Sequence, residues 1–395
     1  MEIYLDNAAT TRVCDAAAQA ALDAMQTDFG NPSSKHVRGL NAGKIIKNAA
    51  KTIAETLDVK PGEIVFTSGG TESNNTALIG AALAAKRRGN HVIASGYEHA
   101  SVYNPLISLK DFGFEVEFAP VDELGHIKID ELTAMIRPTT VLVSVMYVNN
   151  EVGSVNDIGA IAEAVHGKNK DIVFHCDAVQ AYGKFVIYPA RLGIDLMSVS
   201  GHKISAPKGS GFLYIRDGVR VRPLIWGGGQ QKDRRSGTEN VPAIAGLSAA
   251  AQLYYNERRS ATERLYTLKT MFVNELKNIS GAHVHAVKQE EDGSFSEAEV
   301  RKTAPHIVSA GFEGARAEVI LHALEESGIY VSSGSACSSN HPGISGTLKA
   351  IGVKKDLLDS TLRFSFSFST TREELEKTIE ALKELVPIYT RFARR

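Results

Sequence analysis

The chain has 395 residues, of which 43% are hydrophobic, and its 44 basic and 45 acidic side chains leave a net charge of −1. This length exceeds what one compact core usually holds, so it predicts two domains. The balanced charge argues against a nucleic-acid partner or an anionic membrane surface, because both select a basic excess or a clustered basic patch. With no bilayer-length apolar run and no signal-peptide pattern at the N-terminus, we expect a cytoplasmic protein.

Two helices are predicted near the N-terminus. A polar segment of small residues, 4–11, precedes a helix over about residues 14–27. The segment 30–34, Gly-Asn-Pro-Ser-Ser, interrupts the pattern. A second amphipathic helix then extends to Leu57, since apolar residues from Leu40 onward recur at nearly helical spacing.

Apolar strands that each end in a polar cluster follow, up to about residue 215. The predicted strands are 64–66, 91–94, 141–148, 172–174 and 196–199. Their alternation with helical segments predicts an α/β fold with a mostly parallel sheet covered by helices on both faces. Ligands bind beyond the carboxyl ends of strands in such sheets, so we expect the polar clusters to meet in one cleft.

A charged helical stretch over 257–277 suggests the passage to a smaller α+β domain. We predict a large domain over 15–261 and a small domain made of 1–14 and 262–395. The second part contains predicted strands at 306–310, 329–332 and 361–365, a helix over 315–326, and a final helix after residue 371. Thr371 and Glu374 form a predicted capping box at its start. The charged, aperiodic run 288–299 is expected to be an exposed loop, ordered or disordered.

Lys203 is the candidate nucleophile. It follows an apolar strand and precedes a run rich in glycine, 207–211. Partial desolvation there would leave some of the amine deprotonated near neutral pH, so that it can hold a carbonyl cofactor as a Schiff base. The alternative is a surface lysine in a turn.

Two further strand ends suggest which cofactor this is. The segment 68–72, Ser-Gly-Gly-Thr-Glu, lies between a strand and a helix, where free amides and the helix dipole favour a phosphate; simple capping is the alternative. Asp177 is suited to the protonated ring nitrogen of pyridoxal phosphate, or else is a helix N-cap. A metal shared by His175, Cys176 and Asp177 is not expected, because adjacent strand residues point to opposite faces.

Other polar residues would complete this cleft. His99 could stack on a planar ring or act as acid and base, or be structural. Gln180 and Asn150 could hydrogen-bond the ring edge. Arg363, on an apolar strand, is costly to bury without an anion, and either a substrate carboxylate or a structural salt bridge would supply one.

The cysteines show no Cys-x-x-Cys pair, which is typical of a reducing compartment; they are Cys14, Cys176 and Cys337. Cys337 lies in a loop rich in serine and glycine, at about residues 330–345. Such a loop is a poor place for a core-filling cysteine. A thiolate there could move to a substrate and away again.

An ordered set of motifs spanning about residues 4–369 resembles the cysteine desulfurases of the NifS/IscS type. These belong to the class V aminotransferase family, with the fold of type I pyridoxal-phosphate enzymes. The motifs are Tyr4-Leu-Asp-Asn-Ala-Ala-Thr-Thr11, Gly30-Asn-Pro-Ser-Ser34, Gly70-Thr-Glu-Ser-Asn74, Glu98-His99, Asn149-Asn-Glu151, Asp177-Ala-Val-Gln180, Ser200-Gly-His-Lys203, Arg235-Ser-Gly-Thr-Glu-Asn240 and Ser333-Gly-Ser-Ala-Cys337.

The resemblance implies a role for individual residues. Those implied to bind pyridoxal 5'-phosphate are Gly70, Thr71, Glu72, His99, Asn150, Asp177, Gln180, Ser200, His202, Lys203 and, from the neighbouring protomer of a homodimer, Thr238. Those implied to hold the substrate cysteine are Asn31, Asn150 and Arg363. Lys203 would form the Schiff base and move protons, His99 would be the acid and base, and Cys337 would take the sulfur as a persulfide.

The implied reaction converts L-cysteine to L-alanine and passes sulfur to an acceptor. An iron-sulfur scaffold is the expected type of acceptor, with Cys337 a candidate cluster ligand. The run 288–299 is longer than this family leads us to expect, and the chain ends soon after its last helix, so the acceptor stays open. The alternatives are a selenocysteine lyase, an aminotransferase of the same fold, and a non-catalytic sulfur carrier or assembly platform.

Overall fold

Strands and helices alternate through residues 2–333 and 345–393, which the computed structural model describes. The strands are β1 Ile3–Tyr4, β2 Ile64–Thr67, β3 His91–Ser95, β4 Glu115–Ala119, β5 Thr140–Met146, β6 Val173–Asp177, β7 Leu196–Ser200, β8 Gly211–Ile215, β9 Ala282–Val284, β10 Ile307–Phe312, β11 Ile329–Tyr330, β12 Ser332–Ser333 and β13 Thr361–Ser365. The helices are α1 Asp15–Gln26, α2 Val37–Leu57, α3 Gly70–Ala85, α4 Ala100–Ser108, α5 Ile129–Met135, α6 Ile158–Lys168, α7 Val241–Leu276, α8 Glu297–Val300, α9 Ala317–Glu326, α10 Gly346–Ala350 and α11 Arg372–Ala393. Within these described ranges, no helix has both the length and the apolar character that crossing a membrane requires.

A seven-stranded sheet in the order β2-β8-β7-β6-β5-β3-β4 forms the larger layer. Adjacent strands from β7 to β4 are parallel, while β8 is antiparallel to both β7 and β2. Strand β2 therefore runs in the same direction as β7, and only β8 is reversed. The predicted mostly parallel sheet is confirmed, and the carboxyl ends of all the predicted strands meet at one edge.

All five predicted strands differ at an end from the observed ones, and β4 and β8 were not predicted. Two of the differences concern residues of the polar clusters. Strand β6 continues to Asp177 and strand β7 to Ser200, so these residues belong to the strands and not to the loops after them. Their polar neighbours are paired inside the sheet: the His175 ring lies 2.8 Å from Ser144 Oγ and 3.0 Å from Ser198 Oγ. Hydrogen bonds between side chains satisfy these buried polar groups, and the strands can therefore extend through them.

Both faces of this sheet are buried, as alternation along the strands requires. On β5, Val143 belongs to a core that includes Leu247 of α7, whereas Leu142 belongs to a separate core that includes Leu78 of α3 and Leu106 of α4. Helices therefore cover the sheet on both sides, as predicted from the strand-helix alternation.

A second sheet, in the antiparallel order β12-β13-β10-β9, has its own core. Phe272 of α7 packs against Phe364 of β13 with ring centroids 5.2 Å apart. The helical stretch predicted over 257–277 is in fact the second half of the 36-residue helix α7. The helix begins earlier because Asn240 caps it, accepting a hydrogen bond from the Ala243 N–H.

The first residues of the chain join the second sheet. Strand β1 pairs in parallel with β11, and Asp6 forms a bridge with Ser365 at the end of β13. The Asn7 side chain donates to the Ser365 carbonyl at 2.9 Å, and the Ala8 N–H donates to the Ser365 hydroxyl at 2.8 Å. Residues far apart in sequence are thereby fixed side by side.

Local predictions in the C-terminal part have mixed outcomes. The capping box of α11 is confirmed: the Thr371 N–H donates to the Glu374 carboxylate, and the Glu374 N–H donates to the Thr371 hydroxyl. The run 288–299 is not uniformly exposed, since Phe295 is buried. The amide of Asn274 exchanges two hydrogen bonds with the main chain of Phe295, which the charged composition of this run conceals.

Phe364→Ala should destabilise the second core. Phe364 is fully buried, and truncating a buried phenylalanine costs about 3–5 kcal/mol because it leaves a cavity. Thermal unfolding followed by circular dichroism would measure the loss. Val319→Ala, at a position that is 40% exposed on α9, is the control and should change the melting temperature little; equal effects of the two substitutions would contradict this description of the core.

Candidate active site

A cavity of about 290 Å³ opens at the carboxyl edge of the seven-stranded sheet. Its lining brings together most of the residues predicted from the sequence: Gly70, Thr71, His99, Asn150, Asp177, Gln180, Ser200, His202, Lys203 and Arg363. Arg363 comes from the second sheet, and the N-terminal residues Ala8 and Ala9 form a further wall. The strand ends therefore meet in one cleft, as expected.

Lys203 ends a short 3-10 turn, Gly201–Lys203, that follows β7 directly. Its Nζ donates to the carbonyl oxygens of Ala8 and Ala9, both at 2.6 Å. The Thr11 hydroxyl donates to the His202 carbonyl at 2.8 Å and so joins the N-terminal segment to this turn. The amine of Lys203 is thus held at the cavity wall by main-chain oxygens.

The start of α3 forms a cradle suited to an anion. The helix begins at Gly70, after Gly69 with a φ of +146°. A side chain at Gly70 would bring a Cβ to 2.9 Å from Val179 Cγ2, so glycine keeps this space open. Ser200 and His202 lie on the same wall. Burial and the nearby lysines, including Lys203, lower the pKa of His202 to about 4, so its ring is neutral at pH 7.

A chain of hydrogen bonds runs beneath the cavity from Asp177 to His99. Asn74 donates to Asp177 Oδ2 at 2.8 Å and to the Ser101 hydroxyl at 2.9 Å. The Ser101 hydroxyl lies 2.7 Å from His99 Nδ1, and the Ser101 N–H donates to the same atom. With Nδ1 accepting, the neutral ring carries its proton on Nε2. Burial lowers the pKa of His99, with Asp177 opposing and Lys203 reinforcing this effect.

Glu98 places a second carboxyl group near Asp177. Its Oε1 accepts from the Ser95 hydroxyl at 2.6 Å and from the Met146 N–H at 2.8 Å, while Oε2 is buried without a partner. Desolvation, together with the charge of Asp177, raises the pKa of Glu98 to about 8. Glu98 is therefore favoured in its protonated form at neutral pH.

The sequence left two possible partners for Arg363, a substrate carboxylate and a structural salt bridge, and the geometry is compatible with both. It is only 4% exposed, and its guanidinium donates to Asp6 Oδ1 at 2.8 Å and to the Asn150 carbonyl at 2.9 Å. A structural salt bridge is therefore present. The residue also lines the cavity, and its two terminal nitrogens each carry a second N–H beyond these two bonds, which is donor capacity for a ligand anion.

Some residues predicted for the site lie outside the cavity lining. The Glu72 carboxylate is bound by Arg235 at 2.8 Å and accepts from the Ser68 N–H, and these contacts outweigh desolvation to lower its pKa. Thr238 lines a separate cavity of about 150 Å³. Asn31 lies in an exposed loop, where its side chain accepts from the Ser33 N–H.

Cys337 lies outside the described residues, but the described chain on either side of its segment contacts one residue of the cavity lining and the neighbour of another. Ser332, just before it, pairs with Arg363 in the second sheet. Ser345, just after it, donates to the Glu151 carboxylate at 2.5 Å. Glu151 is adjacent to Asn150 in the lining.

Several residues of the site were not predicted individually. Asn74 orients both Asp177 and Ser101, and it lies one helical turn after Gly70, a spacing that places both on the same face of α3. No sequence pattern indicated that Ala8 and Ala9 bind the amine of Lys203. Their carbonyls act through the main chain, which side-chain chemistry does not reveal.

These groups fit the predicted cofactor, pyridoxal 5'-phosphate. The glycine-lined start of α3 suits its phosphate, Asp177 suits its ring nitrogen, and the amine of Lys203 suits its aldehyde. Arg363, which lines the same cavity, suits one more anionic group, such as a substrate carboxylate.

Glu98→Gln should alter how stability depends on pH. Because folding raises the pKa of Glu98 from 4.5 to about 8, the folded protein holds this proton more tightly than the unfolded chain does. The wild type should therefore lose stability relative to Glu98→Gln as pH rises through this window. Denaturant unfolding at several pH values would measure the difference. Glu291→Gln, at an exposed position, is the control; a difference for Glu98→Gln that does not change with pH would contradict the assignment.

Comparison with known proteins agrees with this geometry. Residues 3–378 match the model of the aminotransferase class-V family. The chain is 38% identical over 386 residues to the cysteine desulfurase IscS of Dictyoglomus turgidum, covering 98% of this chain and 94% of the relative. A solved NifS-like protein is 34% identical with a TM-score of 0.90, covering 98% of this chain and all of that one. SspA, solved in complex with cysteine, is 32% identical with a TM-score of 0.78, covering 93% and 99%. The chain therefore belongs to the aminotransferase class-V family, in its branch of IscS and NifS-like proteins.

Proposed function

We propose that this protein is a pyridoxal 5'-phosphate-dependent cysteine desulfurase that converts L-cysteine to L-alanine and transfers the sulfur to an acceptor. The observation that carries the proposal is the single cavity lined by Lys203, Asp177, His99 and Arg363. The described chain on either side of the segment with Cys337 pairs with Arg363 of this lining and binds Glu151, the neighbour of Asn150. The names of the relatives support the choice of substrate.

The cofactor would be held by residues from several strand ends. Gly70, Thr71, Ser200 and His202 would bind the phosphate, with Thr238 of the second protomer as a further ligand. Asp177 would keep the ring nitrogen protonated, and Gln180 and Asn150 would bond the ring edge. When bound, the ring draws electron density from the substrate carbon. Glu72 supports the phosphate site indirectly in this proposal, because Arg235 and the Ser68 N–H occupy its carboxylate.

Substrate binding would depend on Arg363. The residue lines the cavity, and its guanidinium has N–H groups beyond the two already bonded; a carboxylate pairs with such a charged donor more strongly than water does. The salt bridge with Asp6 and the bond to the Asn150 carbonyl fix its orientation. Asn31 would complete the substrate site, for which its loop must approach the cavity from its exposed position.

Proton transfer would be shared by Lys203 and His99. The contacts of His99 Nδ1 with Ser101 leave Nε2 as the ring atom that can exchange a proton in the cavity. Burial, which lowers the pKa of His99, keeps the ring neutral and able to act as a base at neutral pH. Lys203 Nζ donates to the carbonyl oxygens of Ala8 and Ala9, and these contacts hold the amine in place at the cavity.

Cys337 would accept the sulfur as a persulfide and deliver it to an acceptor such as an iron-sulfur scaffold. We place this transfer in the cytoplasm. A selenocysteine lyase would use the same lining but prefer selenium in the substrate. An aminotransferase would need no thiol, and a non-catalytic carrier would not turn over cysteine. These differences separate the candidate functions experimentally.

Lys203→Ala and Cys337→Ser should fail at different points. Wild-type protein loaded with cofactor should absorb visible light, and borohydride should fix the cofactor on the Lys203 peptide; Lys203→Ala should lose this attachment. Cys337→Ser should keep the attachment but lose at least tenfold in alanine formation from cysteine, and mass spectrometry should detect no added sulfur at position 337. Cys14→Ser is the matched control. Unchanged turnover by Cys337→Ser would contradict the persulfide role.

Two domains are part of this proposal, with the large one over 15–261 and the small one formed by 1–14 and 262–395. Helix α7 supports this boundary. Its residue Tyr254 packs in the core of the seven-stranded sheet, whereas Leu265 packs in the core of the second sheet. The helix therefore passes from one core to the other between residues 254 and 265, a range that includes residue 261.

A homodimer is also part of the proposal. Large apolar side chains are exposed near the end of α1, the start of α2 and the loop before α7; Phe29 is 67%, Val37 65% and Trp226 70% exposed. Helices α1 and α2 and the first turn of α7 meet at a small core that contains Ala24, Ala42 and Val241. Exposed apolar area of this kind is typical of a protein interface, and Thr238 lies in the same loop.

Phe29→Glu combined with Trp226→Glu should break the dimer, because two buried charges without partners would oppose association. Sedimentation velocity should show the wild type at twice the monomer mass and the variant as monomer. Ile388→Glu, at a position 47% exposed on α11, is the control and should remain dimeric. A monomeric wild type, or a dimeric double variant, would exclude this surface as the interface.

A further inference from the structure

His306 is a buried histidine that the proposed chemistry does not use. It directly precedes β10 of the second sheet and is only 2% exposed. Its Nε2 lies 3.2 Å from Oε1 of Gln180, which lines the cavity of the candidate active site. His306 itself is not among the described residues of that lining. The contact therefore joins a side chain of the second sheet to a cavity residue that follows β6 of the large sheet.

The other end of the Gln180 amide shows which of its atoms faces His306. The amide nitrogen donates to the carbonyl oxygen of Ala8 at 2.9 Å. A carbonyl oxygen only accepts, so the nitrogen must lie on the Ala8 side and Oε1 on the His306 side. Because Oε1 also only accepts, His306 must carry a proton on Nε2 and donate it. The two hydrogen bonds therefore specify one orientation of the amide.

The environment of His306 keeps this donor in place. Desolvation, followed by repulsion from Lys184 and other cations, lowers the pKa of His306 well below its ordinary value, so the ring is neutral at pH 7 and its single N–H is the one on Nε2. The main chain of His306 is held as well, since its carbonyl accepts from the Phe366 N–H at 2.9 Å. The second sheet thus supplies a neutral donor at a fixed position.

Both ends of the Gln180 amide are fixed by the protein itself. Beyond the N–H bonded to Ala8, the amide nitrogen carries a second N–H; a reversed amide would place the carbonyl oxygen there. Ordering a glutamine side chain costs rotamer entropy, and His306 and Ala8 provide this order before a ligand binds. A ligand atom that meets this nitrogen must therefore be an acceptor.

We propose that His306 is a positioning residue: it orients Gln180 so that the amide nitrogen donates to the ring hydroxyl oxygen of the cofactor, pyridoxal 5'-phosphate. The proposal rests on the proposed function in taking Gln180 as a cofactor-binding residue. It adds the residue of the second sheet that sets the orientation of this side chain. His306 acts through Gln180 and needs no contact with the cofactor.

Binding of two ligands to the full-length protein tests this proposal. Equilibrium dialysis would give the dissociation constants of pyridoxal 5'-phosphate and of an analogue that lacks the ring hydroxyl. In His306→Phe, whose ring has no N–H, the constant for pyridoxal 5'-phosphate should rise about tenfold, as for one weakened hydrogen bond. The constant for the analogue should keep its wild-type value, because the analogue has no oxygen for Gln180 to bond. An equal rise for both ligands, or a rise for neither, would overturn the proposal.

Variants of both residues separate positioning from general packing. If His306 acts through Gln180, His306→Phe should have no further effect on the binding of pyridoxal 5'-phosphate once Gln180→Leu is present. A full tenfold effect in that background would contradict the proposal. His306→Gln, whose terminal amide donates from near the position of Nε2, should bind almost as tightly as the wild type. Binding as weak as that of His306→Phe would count against the hydrogen bond.

His285→Phe is the matched control. His285 is also buried beside the second sheet, its Nε2 lies 3.1 Å from the Thr361 hydroxyl, and it is not among the described residues of the cavity lining. Its loss should leave both dissociation constants unchanged, and an effect equal to that of His306→Phe would overturn the proposal.

Analogue binding also reports whether each variant folds. Should His306→Phe bind neither ligand, His306→Leu, with a smaller side chain, provides the same comparison. A wild type that binds neither ligand would overturn the proposed function. A wild type that binds both, with no difference between it and the variants of His306, would overturn this inference alone.

Discussion

One residue of the N-terminal segment, Ala8, joins the parts of the candidate site through both of its main-chain polar groups. The Ala8 N–H donates to the Ser365 hydroxyl of the second sheet. The Ala8 carbonyl accepts from Lys203 Nζ and from the Gln180 side chain, both on the large sheet. Ala8 is buried, so its N–H and its carbonyl oxygen must both be paired. The cavity keeps its shape only while the first residues of the chain bridge the two sheets.

The charged groups of the site lie close together within this cavity. Lys203 and Asp177 both line the cavity, and the carboxyl group of Glu98 is near enough to Asp177 for the two charges to interact. Burial strengthens all of these interactions, because little water remains to screen them. Burial and the charge of Asp177 favour a protonated Glu98, and neutral imidazoles at His99 and His202 avoid adding to the positive charge near Lys203.

Sequence patterns predicted the sheet and most of the cavity, since strand ends in a parallel sheet must meet and the polar clusters lay at those ends. They did not predict partners that act over long range. Asp6 as the partner of Arg363 is separated from it by 357 residues, and the carbonyls of Ala8 and Ala9 carry no distinctive side chain. The early start of α7 was missed because its first half is apolar and buried on several sides, without the charged face that marked residues 257–277.

The reversed strand β8 affects the order in which the site can assemble. The loop between β7 and β8 returns to the same edge of the sheet within about ten residues, closed by a hydrogen bond from the Gly201 N–H to the Ser210 carbonyl. Such a hairpin closes with little loss of chain entropy, whereas the contact of Lys203 with Ala8 spans 195 residues. We infer that the turn bearing the reactive amine forms early in folding, and that a newly made chain acquires its complete pocket only when its last strands and its first residues come together.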